Sequence, residues 1–236
     1  MTWRFKMKLI WLGHGSFRLE IADKVLLLDP FLGGNPMLPD EKRAEAIAGA
    51  THIFCTHGHG DHLSDVGPVA KELGIPVFGM VELMKYVADK FGVETTGFNK
   101  GGTVDIGGVK VTMVNATHSS STEGPDGPVY LGTESGFIIE GEGRAIYFSG
   151  DTDVMADMKI FHDLHEPDIG ILCAGGHYTM DMKRAAYAAK TFFDFKTVIP
   201  MHYRTFPLLE QNADVLKAGL PGVEVIEPQV LEAIEL

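Results

Sequence analysis

The sequence predicts an α+β protein in which two β-sheets pack face to face with helices on the outside. Three observations predict it: strands and helices alternate along the chain, the second half repeats the plan of the first, and no low-complexity linker separates them. A chain of 236 residues, 45% of them hydrophobic, can bury one sizeable core, so positions 1–236 read as a single domain.

The elements follow in order. Ser16 to Ile21 alternates polar and apolar residues, with Phe17, Leu19 and Ile21 on one face. After Ala22-Asp23-Lys24 the apolar run Val25 to Leu28 returns, which makes a hairpin. Phe31 to Asp40, rich in Gly, Pro and Asn, is a loop, and His52 to Cys55 is a short strand. Between Met80 and Phe91 the residues Met80, Leu83, Met84, Val87, Ala88 and Phe91 recur at steps of three and four, the stripe of an amphipathic helix whose methionines fill the core. Thr103 to Ile106 and Val109 to Ala116 flank a Gly107-Gly108 turn, and Gly136 to Glu140 pairs with Ala145 to Ser149 as a further hairpin. Asp168 to Cys173 is a buried strand, and Thr197 to Met201 is another. Met182 to Phe193 is a helix with Met182, Ala185, Ala186, Ala189, Phe192 and Phe193 inward. In each half one strand runs into an Asp (Asp29, Asp151), and a later strand ends at a Cys (Cys55, Cys173) with Gly and His beyond it, a weak internal symmetry.

Charge narrows the function. The chain has 20 Lys and Arg against 32 Asp and Glu, a net of −12, and no basic patch, which argues against nucleic acid and anionic membrane surfaces as partners. Apolar runs fall well short of the roughly 18 residues of a membrane span. The opening Met1-Thr2-Trp3-Arg4-Phe5-Lys6 carries positive charge, but Leu9 to Leu12 is too short for the apolar part of a signal peptide, so a cytoplasmic protein is expected. Its two cysteines, each inside an apolar run, read as buried thiols.

Ten histidines carry the strongest signal, at positions 14, 52, 57, 59, 62, 118, 162, 165, 177 and 202. In Thr56-His57-Gly58-His59-Gly60-Asp61-His62, three imidazoles and a carboxylate crowd one loop after a strand, and interleaved glycines let the backbone fold tightly. Packing has no use for such a cluster, whereas metal binding does. One loop cannot enclose two ions, and three more candidates each follow an apolar strand: His118, Asp151 and His202.

This pattern resembles the metallo-β-lactamase superfamily, whose mark is a His-x-His-x-Asp-His loop followed by a His, an Asp and a His. Gly13-His14-Gly15-Ser16-Phe17, Leu28-Asp29-Pro30-Phe31, His118-Ser119-Ser120-Ser121, Gly175-Gly176-His177-Tyr178-Thr179-Met180 and Pro200-Met201-His202-Tyr203 are similar to a narrower branch, the bacterial metal-dependent hydrolases related to ascorbate-6-phosphate lactonase. The resemblance implies a four-layer αββα sandwich and two divalent ions. His57, His59 and His118 would hold the first, Asp61, His62 and His202 the second, with Asp151 bridging. Zn comes first, with Mn, Ni or Fe as alternatives, since all accept His and Asp ligands. Two ions sharing one water lower its pKa towards about 7, giving a bridging hydroxide that cleaves a small ester, lactone or phosphoester.

Other residues take supporting roles. His14 is expected at the pocket rim or behind the ligands, and Asp29 behind a ligand imidazole, orienting it through its other ring nitrogen. His177 is expected to donate a proton to the leaving group or bind a substrate oxygen, and Tyr203 to aim its hydroxyl at an oxyanion. Asp61 is assigned to catalysis as well as to metal. His52, His162 and His165 read as bystanders, Asp153 as a solvated turn residue, and Ser119 to Ser135 as a long substrate-facing loop. The alternatives are a mononuclear iron oxidoreductase on the same scaffold, which Asp61 and His62 count against, and a nuclease, which the acidic charge counts against. The partner is a small-molecule substrate, and a homo-oligomer is compatible with the composition.

Overall fold

The computed structural model describes residues 7–236. The basic opening at Met1 to Lys6 lies outside the described residues. The chain begins with β1 (Lys8–Gly13), β2 (Ser16–Ile21), β3 (Lys24–Leu28), β4 (His52–Cys55), β5 (Val77–Met80) and β6 (Thr95–Phe98). It continues with β7 (Thr103–Asp105), β8 (Lys110–Asn115), β9 (Ser121–Gly124), β10 (Gly127–Tyr130), β11 (Ser135–Gly141), β12 (Arg144–Phe148), β13 (Ile169–Cys173), β14 (Thr197–Met201), β15 (Glu224–Val225) and β16 (Ala233–Glu235).

Two seven-stranded sheets result, in the orders β16-β1-β2-β3-β4-β5-β6 and β15-β14-β13-β12-β11-β8-β7. Each has an antiparallel half and a parallel half. In the first, β16, β1, β2 and β3 alternate in direction and β3 to β6 run parallel; in the second, β7, β8, β11 and β12 alternate and β12 to β15 run parallel. The plan read from the sequence as a weak repeat is therefore a topological one. Phe17 meets Phe148, and Phe54 and Phe98 meet Phe137, across the space between the sheets. These contacts belong to one continuous core.

Helices cover the outer faces, completing the expected αββα layering: α1 (Arg43–Ile47), α2 (Gly60–Leu63), α3 (Val66–Leu73), α4 (Val81–Phe91), α5 (Asp157–His165), α6 (Met182–Phe192) and α7 (Asp214–Gly219). In α4 the buried residues are Leu83, Met84 and Val87, the centre of the apolar stripe, and Gly92 ends the helix in the left-handed conformation that lacks a Cβ penalty. In α6 the Asp181 side chain caps the start by accepting from Arg184 N, and Met182 with four alanines lies inward, letting the helix approach the sheet closely. Several elements carry no periodic signal. All of β5 is buried, so its polar–apolar pattern is flat, and β1 is an apolar run that begins a sheet. The segment expected as a long polar loop after His118 folds into the β9–β10 hairpin, pairing Tyr130 with Ser121. No helix among the described residues is long and apolar enough to cross a membrane.

Tyr147 on β12 is fully buried between Phe161 and Phe193, and its hydroxyl has no hydrogen-bond partner. A buried unpartnered hydroxyl costs about 1–3 kcal/mol. Tyr147→Phe keeps the ring and removes the cost, so it should stabilise the protein by about 1 kcal/mol. Calorimetry should find a melting midpoint higher by roughly 2–4 °C; a lower midpoint would show that the hydroxyl is satisfied.

Candidate metal centre

Strand direction explains why distant residues meet. In the first sheet β1, β3 and β4 point the same way, and in the second β8, β12 and β14 do. Their C-terminal ends carry His14, Asp29, the His57 to His62 loop, His118, Asp151 and His202. The structure brings all seven ligand candidates together there, in two groups.

In the first group His59 Nδ1 lies 3.1 Å from His57 Nε2 and 3.2 Å from His118 Nε2. Donors arranged tetrahedrally at about 2.0–2.1 Å from one ion stand only about 3.3–3.4 Å apart, so this spacing suits a single ion. In the second, Asp61, His62, His202 and also His14 each bring a ligand atom within 4.8 Å of the others. Asp151 Oδ2 joins the groups, at 3.9 Å from His57 Nε2, 3.6 Å from His118 Nε2, 3.4 Å from His62 Nε2 and 3.2 Å from His202 Nε2. His62 Nε2 and Asp151 Oδ1 are buried without hydrogen-bond partners, a costly state that cations at this position would relieve. The donor set fits bound metal.

On His57, His59 and His62 the ring nitrogen facing away from the cluster has a partner, whereas His202 Nδ1 is buried without one. Asp29 is fully buried; its Oδ2 accepts from His62 Nδ1 at 2.8 Å and from the Thr56 hydroxyl at 2.6 Å, and its Oδ1 accepts from Thr56 N at 2.7 Å. With its proton given to Asp29, the Thr56 hydroxyl accepts from His57 Nδ1 at 2.9 Å, so one carboxylate orients two imidazoles. His59 Nε2 faces the Ser119 hydroxyl at 3.2 Å. At Gly175 a Cβ would fall 1.9 Å from the His202 carbonyl oxygen, so only glycine lets this loop pack against the ligand.

The two groups differ electrostatically. Burial, then neighbouring imidazoles, holds His57 well below the ordinary histidine range, and burial likewise lowers His59 and His118. Three neutral imidazoles therefore offer lone pairs. Burial opposes charge on His62 and His202 too, but Asp151 and Asp61 overcome it, raising His62 and pushing His202 up to about 9. Without metal, protons on these two rings balance the carboxylates.

The description "Beta-lactamase superfamily domain" matches residues 24–203. The chain belongs to the β-lactamase superfamily. A protein named UPF0173 metal-dependent hydrolase from Dinoroseobacter shibae is 65% identical over 230 residues, covering 98% of this chain and 100% of its own length. One of the same name from Paracoccus denitrificans is also 65% identical over the same shares. Among solved structures, Igni18, a metallo hydrolase from Ignicoccus hospitalis, superposes with a TM-score of 0.82 at 31% identity, covering 98% of this chain and 99% of that one. YhfI from Bacillus subtilis, a metallo-β-lactamase fold protein, has a TM-score of 0.74 at 17% identity, over 98% of this chain and 100% of its own, and shows the fold alone.

Around this superfamily centre the remaining residues sort themselves. His14 lies deeper than a rim position: it is buried, with Nε2 at 2.8 Å from Asp61 Oδ2 and Nδ1 at 2.9 Å from the Thr205 hydroxyl. Tyr203, expected at the oxyanion, is turned away. Its neighbours His202 and Arg204 have φ of 58° and 64°, and the reversal buries the Tyr203 ring against Trp11 at 5.6 Å, with Arg204 on it. His177, expected as a proton donor, is exposed and packs edge-on against Tyr178; Tyr178 is the residue of that loop that lines the cavity. His52, His162 and His165 lie away from the centre, beside Thr51, Asp194 and Glu140. Asp153 is paired with Arg184 at 2.6 Å, so it is not merely solvated. Sequence reasoning did not single out Thr56, Thr205, Phe206 or Leu208. Thr56 had a signal, a hydroxyl next to the first ligand; the others had none.

Asp151→Asn keeps the shape and removes the shared charge, so metal content and activity should fall together when metal per chain is measured by elemental analysis; full metal with full activity would overturn the bridging assignment. The metal-free protein should also respond to pH. His202, raised from 6.5 to about 9, contributes stability that is complete below pH 6.5 and lost as pH rises through 9. Thermal melts in chelator should therefore show the midpoint falling over that window, while zinc uptake, which must displace these protons, strengthens with rising pH.

Proposed function

We propose that the protein is a metal-dependent hydrolase holding two divalent cations, zinc first, that cleaves a small ester, lactone or phosphoester. The observation that carries this reading is the pair of donor groups joined at one Asp151 oxygen and opening on a cavity of about 630 Å³ lined by His59, Asp61, His118, Asp151 and His202. When bound, the cations would supply Lewis acidity to the scissile carbonyl or phosphoryl oxygen and lower the pKa of an attacking water.

The chain's own residues do the positioning. His57, His59 and His118 present neutral nitrogens from one side, and Asp61, His62 and His202 present theirs from the other. The Asp61 side chain is 33% exposed while its neighbour His62 is buried, so its carboxylate reaches both the cluster and the cavity. Burial works against the ionised carboxylate, but His62, His14 and His202 overcome it. Asp61 Oδ2 is thereby placed to accept a hydrogen bond from an incoming water, with His14 Nε2 holding it in place from behind. Among the described residues no Lys or Arg lines the cavity, which together with the net charge of −12 disfavours a polynucleotide substrate.

Purified without chelator, the protein should carry about two Zn, Mn or Ni per chain and hydrolyse at least one of an aryl acetate, a γ-lactone and an aryl phosphodiester. Stripping the metal should abolish turnover and restoring it should recover turnover. A single tightly held iron would move the weight to the oxidoreductase reading, and two metals with no turnover of any of the three would overturn the proposal.

A further inference from the structure

The cavity has two unlike walls. One is the metal cluster. The other is made by Tyr178, Phe206 and Leu208, whose exposures are 58%, 38% and 56% and which, unlike the other exposed large hydrophobics, are grouped along one cavity. They come from the loops after β13 and β14. Glu210 N donates to the Gly175 carbonyl at 3.0 Å and joins the two loops, and Arg204 N donates to the Glu210 carbonyl at 2.8 Å and closes the second loop on itself. Within the second loop Leu209 points inward as the anchor, while Phe206 and Leu208 stay out. The Phe206 ring stands edge-on to His14 at 5.6 Å, so the apolar wall begins directly against the residue that braces Asp61.

Charge limits what can lie there. Apart from the Tyr178 phenol, the ionisable groups of the described residues lining the cavity are carboxylates and imidazoles. Nearby cations are engaged elsewhere: Arg184 with Asp153, Lys100 with Asn115, and Arg204 with the Pro228 carbonyl. A second ionised group on the substrate, away from the scissile bond, would find no Lys or Arg among the described residues lining the cavity. An alkyl or aryl arm, in contrast, would cover apolar surface that is otherwise wet.

Resting on the hydrolase reading, we infer that the substrate is a carboxylic ester or lactone with an uncharged apolar arm, seated on Tyr178, Phe206 and Leu208 while the carbonyl faces the metal cluster. These three are its specificity-determining residues. A substrate bearing a separate phosphate or carboxylate is disfavoured.

The test uses product binding, which does not require turnover. Acetate, butanoate, hexanoate and octanoate are titrated into the metal-loaded protein by calorimetry, with succinate and glycerol phosphate as charged comparators. Affinity should rise about threefold per methylene, about eightyfold from acetate to hexanoate, as expected for a mostly buried chain. Tyr178→Ser with Leu208→Asn, both at exposed positions, should flatten that slope while leaving metal content unchanged. Affinity independent of chain length, a slope that survives in the double variant, or glycerol phosphate binding more tightly than hexanoate would each overturn the inference. The hydrolase reading fails separately, if fully metalated protein turns over no ester, lactone or phosphoester even though the alkanoate slope is present.

Discussion

Asp29, Asp61 and Asp151 converge on a cluster of imidazoles at the junction of two sheets, and two of the three carboxylates are almost wholly removed from water. Burying charge costs several kcal/mol per ion unless opposite charges and hydrogen bonds answer it. Much of the local architecture is that answer. Thr56 gives the Asp29 carboxylate both a backbone and a side-chain hydrogen bond, His62 gives it a third, and His14 and His202 share the neighbourhood of Asp61. Protons on His62 and His202 complete the balance only provisionally. A bound metal cation would replace them with a larger charge that the three neutral imidazoles opposite could also bind.

Holding such a cluster needs backbone geometry that sequences usually avoid. His14, Asp29 and His202 all have left-handed φ values, 57°, 45° and 58°, although none is glycine. Each stands just past the end of a strand, where the chain must swing its side chain towards the centre, and the strain is sustained by the sheets on either side. The repeated topology makes this affordable. Corresponding strand ends of the two sheets offer His14 and His118, and Asp29 and Asp151, so one plan used twice brings an imidazole and a carboxylate to the cluster from each sheet.

The sequence made much of this readable. Hairpins at 16–28, 103–116 and 136–149 showed because apolar runs flank short turns, with alternation in Ser16 to Ile21 only, and the helices at 80–91 and 182–193 because their apolar residues recur at three and four. The strands β5, β6 and β15 escaped, being short and without alternation. The metal-facing residues were legible because imidazoles crowded into a glycine-rich loop have no packing purpose. Tyr203 and His177 were misjudged for a shared reason: adjacency to a ligand or to glycines says nothing about which way a side chain turns, and a left-handed residue on either side of Tyr203 reverses that direction. The apolar wall was illegible, since exposed Phe206 and Leu208 look like any loop hydrophobics until the fold sets them beside the cluster.

The edge strand β16 pairs Glu235 with Lys8, so residues from opposite ends of the described chain share one ladder with the strand that delivers His14. Contacts of such long sequence separation require most of the polypeptide to be in hand before they form, which slows folding. The centre is therefore a late product of assembly. His57, His59 and His62 sit together on one loop and can meet an ion early, but His118, Asp151 and His202 reach them only when the second sheet has closed. A cation captured before that point would be held by an incomplete set, and its residence becomes secure only as the sandwich shuts around it.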